Sequence, residues 1–249
     1  MACANCAPVR LLRINPDCWG EFRNTDLVPW KQRNVAFTHV PHKRLIGPGP
    51  HQLLSDMPKL SEIESTPWRP VSEADQRRAA EISAHLISRL DFVTDWRLQK
   101  SYYLAEVRSI EERLRRLSHV EFASWKHGPW SLHVREAEES LEMEGLLVRV
   151  VKGAVRRPEA EFLKVSDAAA MPPLEQGDQE FLDAFAKEIK FVDGDRLTGL
   201  AKATPPFQAA KPKQLIDLDG YLESLRAKHE RFVRSPKVAR LVAEAKAEP

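Results

Sequence analysis

The sequence predicts a mainly α protein: a compact helical domain with a small winged-helix-like β-hairpin, preceded by an extended, proline-rich arm. Three observations predict this class. Apolar residues recur at three- and four-residue steps after residue 72, short β-type runs follow Gly145, and nine of the 18 prolines lie in residues 1–70. The chain therefore divides into an arm (1–71), a helical domain (72–225) and a charged C-terminal helix or tail (226–249).

The first two helices follow from capping and periodicity. One begins at Ser72, because Ser72 to Asp75 form a capping-box-like start before an apolar period. The next begins near Asp95 and carries a single apolar stripe with charged residues between its members. That spacing places Gln99 and Lys100 off the stripe, on a solvated helix face, with contact to another helix or a partner as the alternative. The stripe consists of Trp96, Tyr103, Val107, Ile110, Leu114 and Leu117.

The second half of the domain is expected to hold a helix, a hairpin and two further helices. A helix opens at Gly128-Pro129, since proline suits the first helical turn, and it stops at Gly145. Two short strands follow, at 146–151 and 162–165, joined by a polar turn. Helices are then expected at 177–190 and 216–229.

Three short motifs resemble those of the Panacea domain, the SocA-like antitoxin family. They are LQKSYYL at 98–104, WKHGPWS at 125–131 and LEMEGL at 141–146. The segment Thr204 to Phe207 is similar to the closing segment of that family, although Ala203 stands where its members often have a histidine. The resemblance covers roughly residues 72–225.

The resemblance implies a mostly helical antitoxin and no enzyme activity, and no motif in the sequence points to a cofactor. Such a protein neutralises a co-encoded toxin protein by direct contact, or presents the toxin to a protease. The Gly128-Pro129 turn has a plain structural interpretation as well, because glycine and proline shape the backbone there. Large aromatic residues beside a rigid turn also make good anchors for a partner. The candidate partner-binding residues are Gln99, Lys100, Tyr103, Trp125, His127, Gly128, Pro129, Trp130 and Ser131.

A helix followed by a hairpin also suggests a winged-helix DNA-binding regulator, which is the alternative function. The charge of the expected third helix argues against it, because phosphates repel carboxylates. The hairpin is basic, so non-specific contact with a DNA backbone stays open. An acidic helix instead favours a basic protein partner. Its charged residues are Glu136, Glu138, Glu139, Glu142 and Glu144 against Arg135.

The cysteines and the overall composition limit which metal, redox or catalytic functions the sequence allows. Cys3 and Cys6 form a Cys-x-x-Cys pair that Cys18, His39 and His42 could complete as a zinc site. A redox dithiol and plain unpaired cysteines are the alternatives, because no second pair follows at standard spacing. The chain has 38 basic and 36 acidic side chains, no long apolar stretch and no secretory signal, so we expect a cytoplasmic protein without membrane contact. It also has no nucleotide-binding or hydrolase motif, so we expect neither a metal site nor catalysis.

Overall fold

The computed structural model describes residues 66–154, 157–166, 173–236, 238 and 240. The expected class, a mainly α domain with a small hairpin, is confirmed, while residues 1–65 of the expected arm lie outside the described residues. The strands form two antiparallel two-stranded sheets, β1 (Ala123–Trp125) with β2 (Gly128–Trp130) and β3 (Leu147–Ala154) with β4 (Arg157–Val165). The helices are α1 (Glu73–Arg89), α2 (Asp95–Arg113), α3 (Leu132–Met143), α4 (Gln176–Ile189), α5 (Gly194–Lys202), α6 (Pro205–Ala209) and α7 (Leu218–Val233).

Helix α1 begins where the capping pattern predicts it. The hydroxyl oxygen of Ser72 accepts a hydrogen bond from the backbone N–H of Asp75 at 3.1 Å, which satisfies a donor of the first turn. One face of the helix, with Ile82 and Leu86, is completely buried. The predicted start and the buried face are confirmed.

Helix α2 is buried on all sides rather than along one stripe. Every residue from Leu98 to Ile110 is buried, because α1, α4, α5, α7 and β2 pack around it. Its polar side chains are bonded accordingly: the carboxylate of Glu106 accepts hydrogen bonds from Arg116 and Ser118. The expected division into one apolar stripe and a solvated face is therefore wrong for this helix.

No helix opens at Gly128-Pro129. Residues Gly128–Trp130 form β2, in which Gly128 lies opposite Trp125 of β1. Gly128 has a φ of +100°, which lies outside the right-handed helical region. Glycine adopts this value without steric cost because it has no Cβ atom. The helix begins after Ser131, whose hydroxyl oxygen accepts a hydrogen bond from the backbone N–H of Val134 at 3.4 Å. The expected start is wrong because the serine cap, and not the proline, sets it.

The second hairpin follows α3 as expected. Gly145 ends the helix region with a φ of +72°, and β3 and β4 then pair with Leu147 opposite Val165. The backbone N–H of Leu163 in β4 donates a hydrogen bond to the carbonyl oxygen of Val93 at 2.7 Å. That bond fastens the hairpin to the loop between α1 and α2.

The C-terminal helices are partly as expected. α4 and α7 are confirmed, and α7 runs through residue 225 to Val233. The short helices α5 and α6 were not predicted. Asp193 caps α5, since its carboxylate accepts a hydrogen bond from the backbone N–H of Arg196 at 2.8 Å.

A buried carboxylate joins three parts of the helical core. Asp178, in the first turn of α4, contacts the guanidinium groups of Arg78 in α1, Arg113 in α2 and Arg115 just after α2. Only 2% of Asp178 is exposed, so these contacts replace its hydration almost entirely. Asp178 thus links the first turn of α4 to α1 and to the C-terminal end of α2.

The segment that precedes α1 packs on the first hairpin and α3. Trp68 lies edge-on to Trp130 and His133, with ring centroids 5.9 and 5.8 Å apart. Arg69 forms an ion pair with Glu121, just before β1. The described end of the expected arm is thus anchored to the helical domain.

Candidate partner-binding site

The nine residues that the motifs single out come together in space. They lie on α2, on the β1–β2 hairpin and at the N-cap of α3, and hydrogen bonds join these three elements. Of the nine, only His127 is partly exposed, at the turn between the strands. The buried members are Gln99, Lys100, Tyr103, Trp125, Gly128, Pro129, Trp130 and Ser131.

Lys100 lies at the centre of this cluster and is fully buried. Its Nζ donates a hydrogen bond to the carbonyl oxygen of Pro129 at 2.6 Å and lies 3.6 Å from the centroid of the Trp96 ring. Among the described residues, no carboxylate forms an ion pair with this ammonium group. Burial, and then the charge of Lys202, lower the pKa of Lys100 well below its ordinary value.

Gln99 bonds to the residue that follows β2 and caps α3. Its Nε2 donates to the carbonyl oxygen of Ser131 at 3.0 Å, and its Oε1 accepts from the backbone N–H of Ser131 at 2.8 Å. Gln99 and Lys100 therefore both face the hairpin, and their expected place on a solvated helix face is wrong. The physical reason is that β2 and α5 cover the face that periodicity alone leaves to solvent.

Gly128 is in close contact with Lys100. A Cβ atom at position 128 would lie 3.2 Å from Cε of Lys100 and 3.6 Å from Cγ2 of Thr198. The positive φ and this close approach both require glycine. The plain structural interpretation of the Gly-Pro turn is therefore supported by its geometry.

The aromatic members of the set fill the space around this turn. The hydroxyl of Tyr103 shares a 2.7 Å hydrogen bond with the hydroxyl of Thr204, and its ring packs edge-on against Phe122 at 5.2 Å. Burial raises the pKa of Tyr103, which keeps it neutral. Trp125 and Trp130 form an apolar cluster at the hairpin. These rings are buried and pack within the domain, so they are not exposed as anchors for a partner.

Two residues that the motifs do not include, Trp96 and Thr198, complete the cluster. The predicted apolar stripe includes Trp96, yet its ring contacts the Lys100 ammonium and its centroid lies 5.9 Å from that of the His127 ring. Thr198 accepts a hydrogen bond from Nε1 of Trp96 at 3.3 Å. No sequence signal points to Thr198, because the helix that carries it was not predicted.

The exposed part of this region is the tip of the first hairpin. Lys126 is exposed and His127 is half-buried, while the residues on either side are buried. Gln99 and Lys100 bond to Ser131 and Pro129, which lie just beyond the tip in the chain. The tip is thus the exposed part of the set, and the buried members lie beneath it.

The acidic residues of α3 are largely paired inside the protein. Glu138 is fully buried, and its carboxylate lies 3.4 Å from the guanidinium of Arg135 and 3.7 Å from that of Arg149 in β3. Arg149 also contacts Glu142 at 2.6 Å and Asp95 at 2.8 Å. Burial, followed by the charge of Asp95, raises the pKa of Glu138 well above its ordinary value. Much of the acidic charge expected to attract a basic partner is therefore neutralised within the fold.

The other candidate chemistry receives no support from the described residues. Cys3, Cys6, Cys18, His39 and His42, the candidate zinc ligands, lie outside them. Within the described part of the chain, no group of three or more His, Cys, Asp or Glu side chains is arranged to hold a metal ion. No helix there has the length and apolar character needed to cross a membrane.

No protein-family model matches the chain, and neither a curated protein nor a solved structure matches it. The resemblance to the Panacea domain is therefore carried by the motif residues alone.

Proposed function

We propose that this chain is an antitoxin that binds a toxin protein and neutralises it by direct contact. The observation that carries the proposal is the set of bonds between two of the motifs that resemble the Panacea domain. Gln99 and Lys100 of the first motif bond to Ser131 and Pro129 of the second, across 32 and 29 positions of sequence. The two motifs thus belong to one folded unit, as a resemblance to a single domain requires.

Neutralisation in this proposal uses the tip of the first hairpin. Pro129 and Ser131, which follow the tip in the chain, bond to the buried side chains of Lys100 and Gln99. This anchored base limits the conformational freedom that Lys126 and His127 can lose when a partner binds. A rigid, charged tip also favours rapid and selective association with a complementary surface. The buried motif residues then act by positioning, which agrees with their lack of exposure.

A DNA-binding regulator is supported less well. The helix that precedes the wing-like hairpin would enter the major groove, yet the side chains it leaves at the surface include Glu136, Glu139 and Glu144. Arg135, the one arginine of this helix, is already paired with Asp95, Glu138 and Glu139, so the helix has no unpaired arginine or lysine to bind a phosphate.

Co-expression with the neighbouring genes tests the proposal. Each of the two open reading frames that flank this one is induced alone and together with this chain, and growth is recorded. We expect one of them to arrest growth and the chain to restore it. The proposal is overturned if neither reading frame arrests growth, or if arrest persists while this chain is present in soluble form.

An immunoblot of the toxin in the rescued cells separates the two routes of neutralisation. An unchanged amount of toxin supports inhibition by contact, as proposed. A loss of toxin that depends on a cellular protease would contradict inhibition by contact and favour delivery for degradation. The exposed substitution Lys228→Glu, on α7, serves as a control that should leave rescue intact.

A further inference from the structure

Two stretches of the chain contain lysines but no carboxylates. From Phe122 to Arg135, and again from Arg196 to Ile216, the sequence has no aspartate or glutamate. In a chain with 36 acidic residues among 249, such stretches have few internal counter-charges for their cations. Local charge here therefore differs from the net charge of +2 of the whole chain.

The fold places these two stretches side by side. The backbone of Ser124 in β1 bonds to that of Gln214 at 2.8 Å and to that of Lys213 at 2.6 Å. Ala123 and Leu215 form an antiparallel bridge, so the chain beyond Ser124 runs toward the residues before Lys213. This register carries Lys126 and Lys211 to the same end of the pairing.

Three lysines mark the surface so formed, and we call them the basic patch: Lys126, Lys202 and Lys211. Lys126 and Lys211 are exposed, and Lys202 is half-buried at the end of α5. Within the described part of the chain, none of the three forms an ion pair with a carboxylate. Lys202 follows Thr198 by four residues on α5, and Cγ2 of Thr198 would lie 3.6 Å from a Cβ atom at Gly128 of the hairpin. The charge of Lys202 also lowers the pKa of the buried Lys100.

We propose that the basic patch receives a carboxylate-rich segment of the partner protein. The identity of that partner as a toxin rests on the proposed function, while the acidic chemistry rests on the patch alone. A carboxylate at Lys202 would offset its repulsion with Lys100, which has the carbonyl oxygen of Pro129 and the Trp96 ring as its partners. The partner chemistry is thus opposite to that expected from the acidic helix α3, whose carboxylates are largely paired internally.

A protein segment fits this surface better than a nucleic acid does. The patch consists of three lysines. A nucleic acid carries a phosphate at every nucleotide and binds through an extended basic surface. A short acidic segment can be matched by three lysines.

Titration of the full chain with a decaglutamate peptide tests the inference. The matched titrant is deca-thymidylate, which has a similar charge on a nucleic-acid backbone. One variant reverses the charge of the basic patch through Lys126→Glu, Lys202→Glu and Lys211→Glu. A control variant of identical net charge carries Lys164→Glu, Lys187→Glu and Lys228→Glu, at exposed lysines elsewhere.

We expect wild type and control to bind decaglutamate alike, and the patch variant to bind at least about tenfold more weakly. Lys126→Glu alone, at an exposed turn, should weaken binding in the same direction even if the triple variant folds poorly. The inference is overturned by equal weakening in both triple variants, by no binding to wild type, or by tighter patch-dependent binding of deca-thymidylate. No toxin is present in this titration, so its failure leaves the growth test of the proposed function standing.

Discussion

The Nζ of Lys100 lies 2.6 Å from the carbonyl oxygen of Pro129, and this buried bond joins helix α2 to the first hairpin. The ammonium also lies on the face of the Trp96 ring, so its partners are a carbonyl dipole and an aromatic quadrupole. The described residues place no carboxylate in an ion pair with it. The hairpin tip that we assign to partner binding is therefore positioned by a cation that burial destabilises.

Replacing Lys100 should change how stability depends on pH. The pKa of Lys100 is lower in the folded protein than the 10.5 of a free lysine, so the unfolded chain binds more protons between these two values. The free energy of unfolding contributed by this group therefore rises with pH across that window. We expect Lys100→Met to remove this rise, as measured by urea denaturation from neutral pH up to 10.5.

The control for this measurement is Lys126→Met, on the exposed tip, which should keep the rise seen in wild type. A pH dependence that is identical in wild type and Lys100→Met would contradict the buried, destabilised ammonium.

Gly128→Ala should destabilise the first hairpin. The added Cβ meets Cε of Lys100 at 3.2 Å and the backbone has a φ of +100°, so we expect a loss of about 2 kcal/mol in the free energy of unfolding. Gly199→Ala, in α5, is the matched control because no atom lies within 4 Å of its added Cβ. That control should be neutral or slightly stabilising, and equal losses in both variants would refute the role assigned to Gly128.

Glu138→Gln tests the buried carboxylate of α3. The pKa of Glu138 is raised, so the folded state holds a proton that the unfolded state has already lost, and stability falls as pH rises from 4.5 through the folded pKa. Glutamine keeps the shape without the charge, and should raise the free energy of unfolding at neutral pH by on the order of 1 kcal/mol. Thermal denaturation against pH measures this, with the more exposed Glu139→Gln as control. A destabilised Glu138→Gln would show that Arg135 and Arg149 need the charge.

Asp178→Asn should strongly destabilise the helical core. The substitution leaves the guanidinium groups of Arg78, Arg113 and Arg115 close together without their shared carboxylate, and we expect a loss of about 3 kcal/mol. Asp183→Asn, at the more exposed ion pair with Arg89, should cost less than about 1 kcal/mol. Chemical denaturation compares the two, and similar losses would mean that Asp178 does not organise α4.

Local signals located much of the fold. Ser72 caps α1 within its own first turn, and Gly145 ends α3 through its own backbone angle, so both boundaries depend only on near neighbours in sequence. The Gly128-Pro129 pair has an equally local signal for a helix start. The structure uses it for a strand, because Gly128 packs against Lys100 and Thr198, which are distant in sequence.

The motifs singled out residues that come together in space, but the sequence did not predict that most of them are buried. A lysine or glutamine between apolar positions of a helix is usually solvated, and nothing local distinguishes Lys100 and Gln99 from that case. Their burial depends on bonds to Pro129 and Ser131 in another element. Hydrophobic periodicity could not predict the basic patch either, because the patch forms only when β1 pairs with the segment around Gln214.

Calorimetric titration of the two purified proteins tests whether this chain binds a toxin protein by direct contact. The titrant is the product of the flanking gene that arrests growth. We expect saturable binding at a fixed stoichiometry, weakened at least about tenfold by reversal of Lys126, Lys202 and Lys211 to glutamate. A rescue of growth without any measurable binding between the purified proteins would contradict the claim.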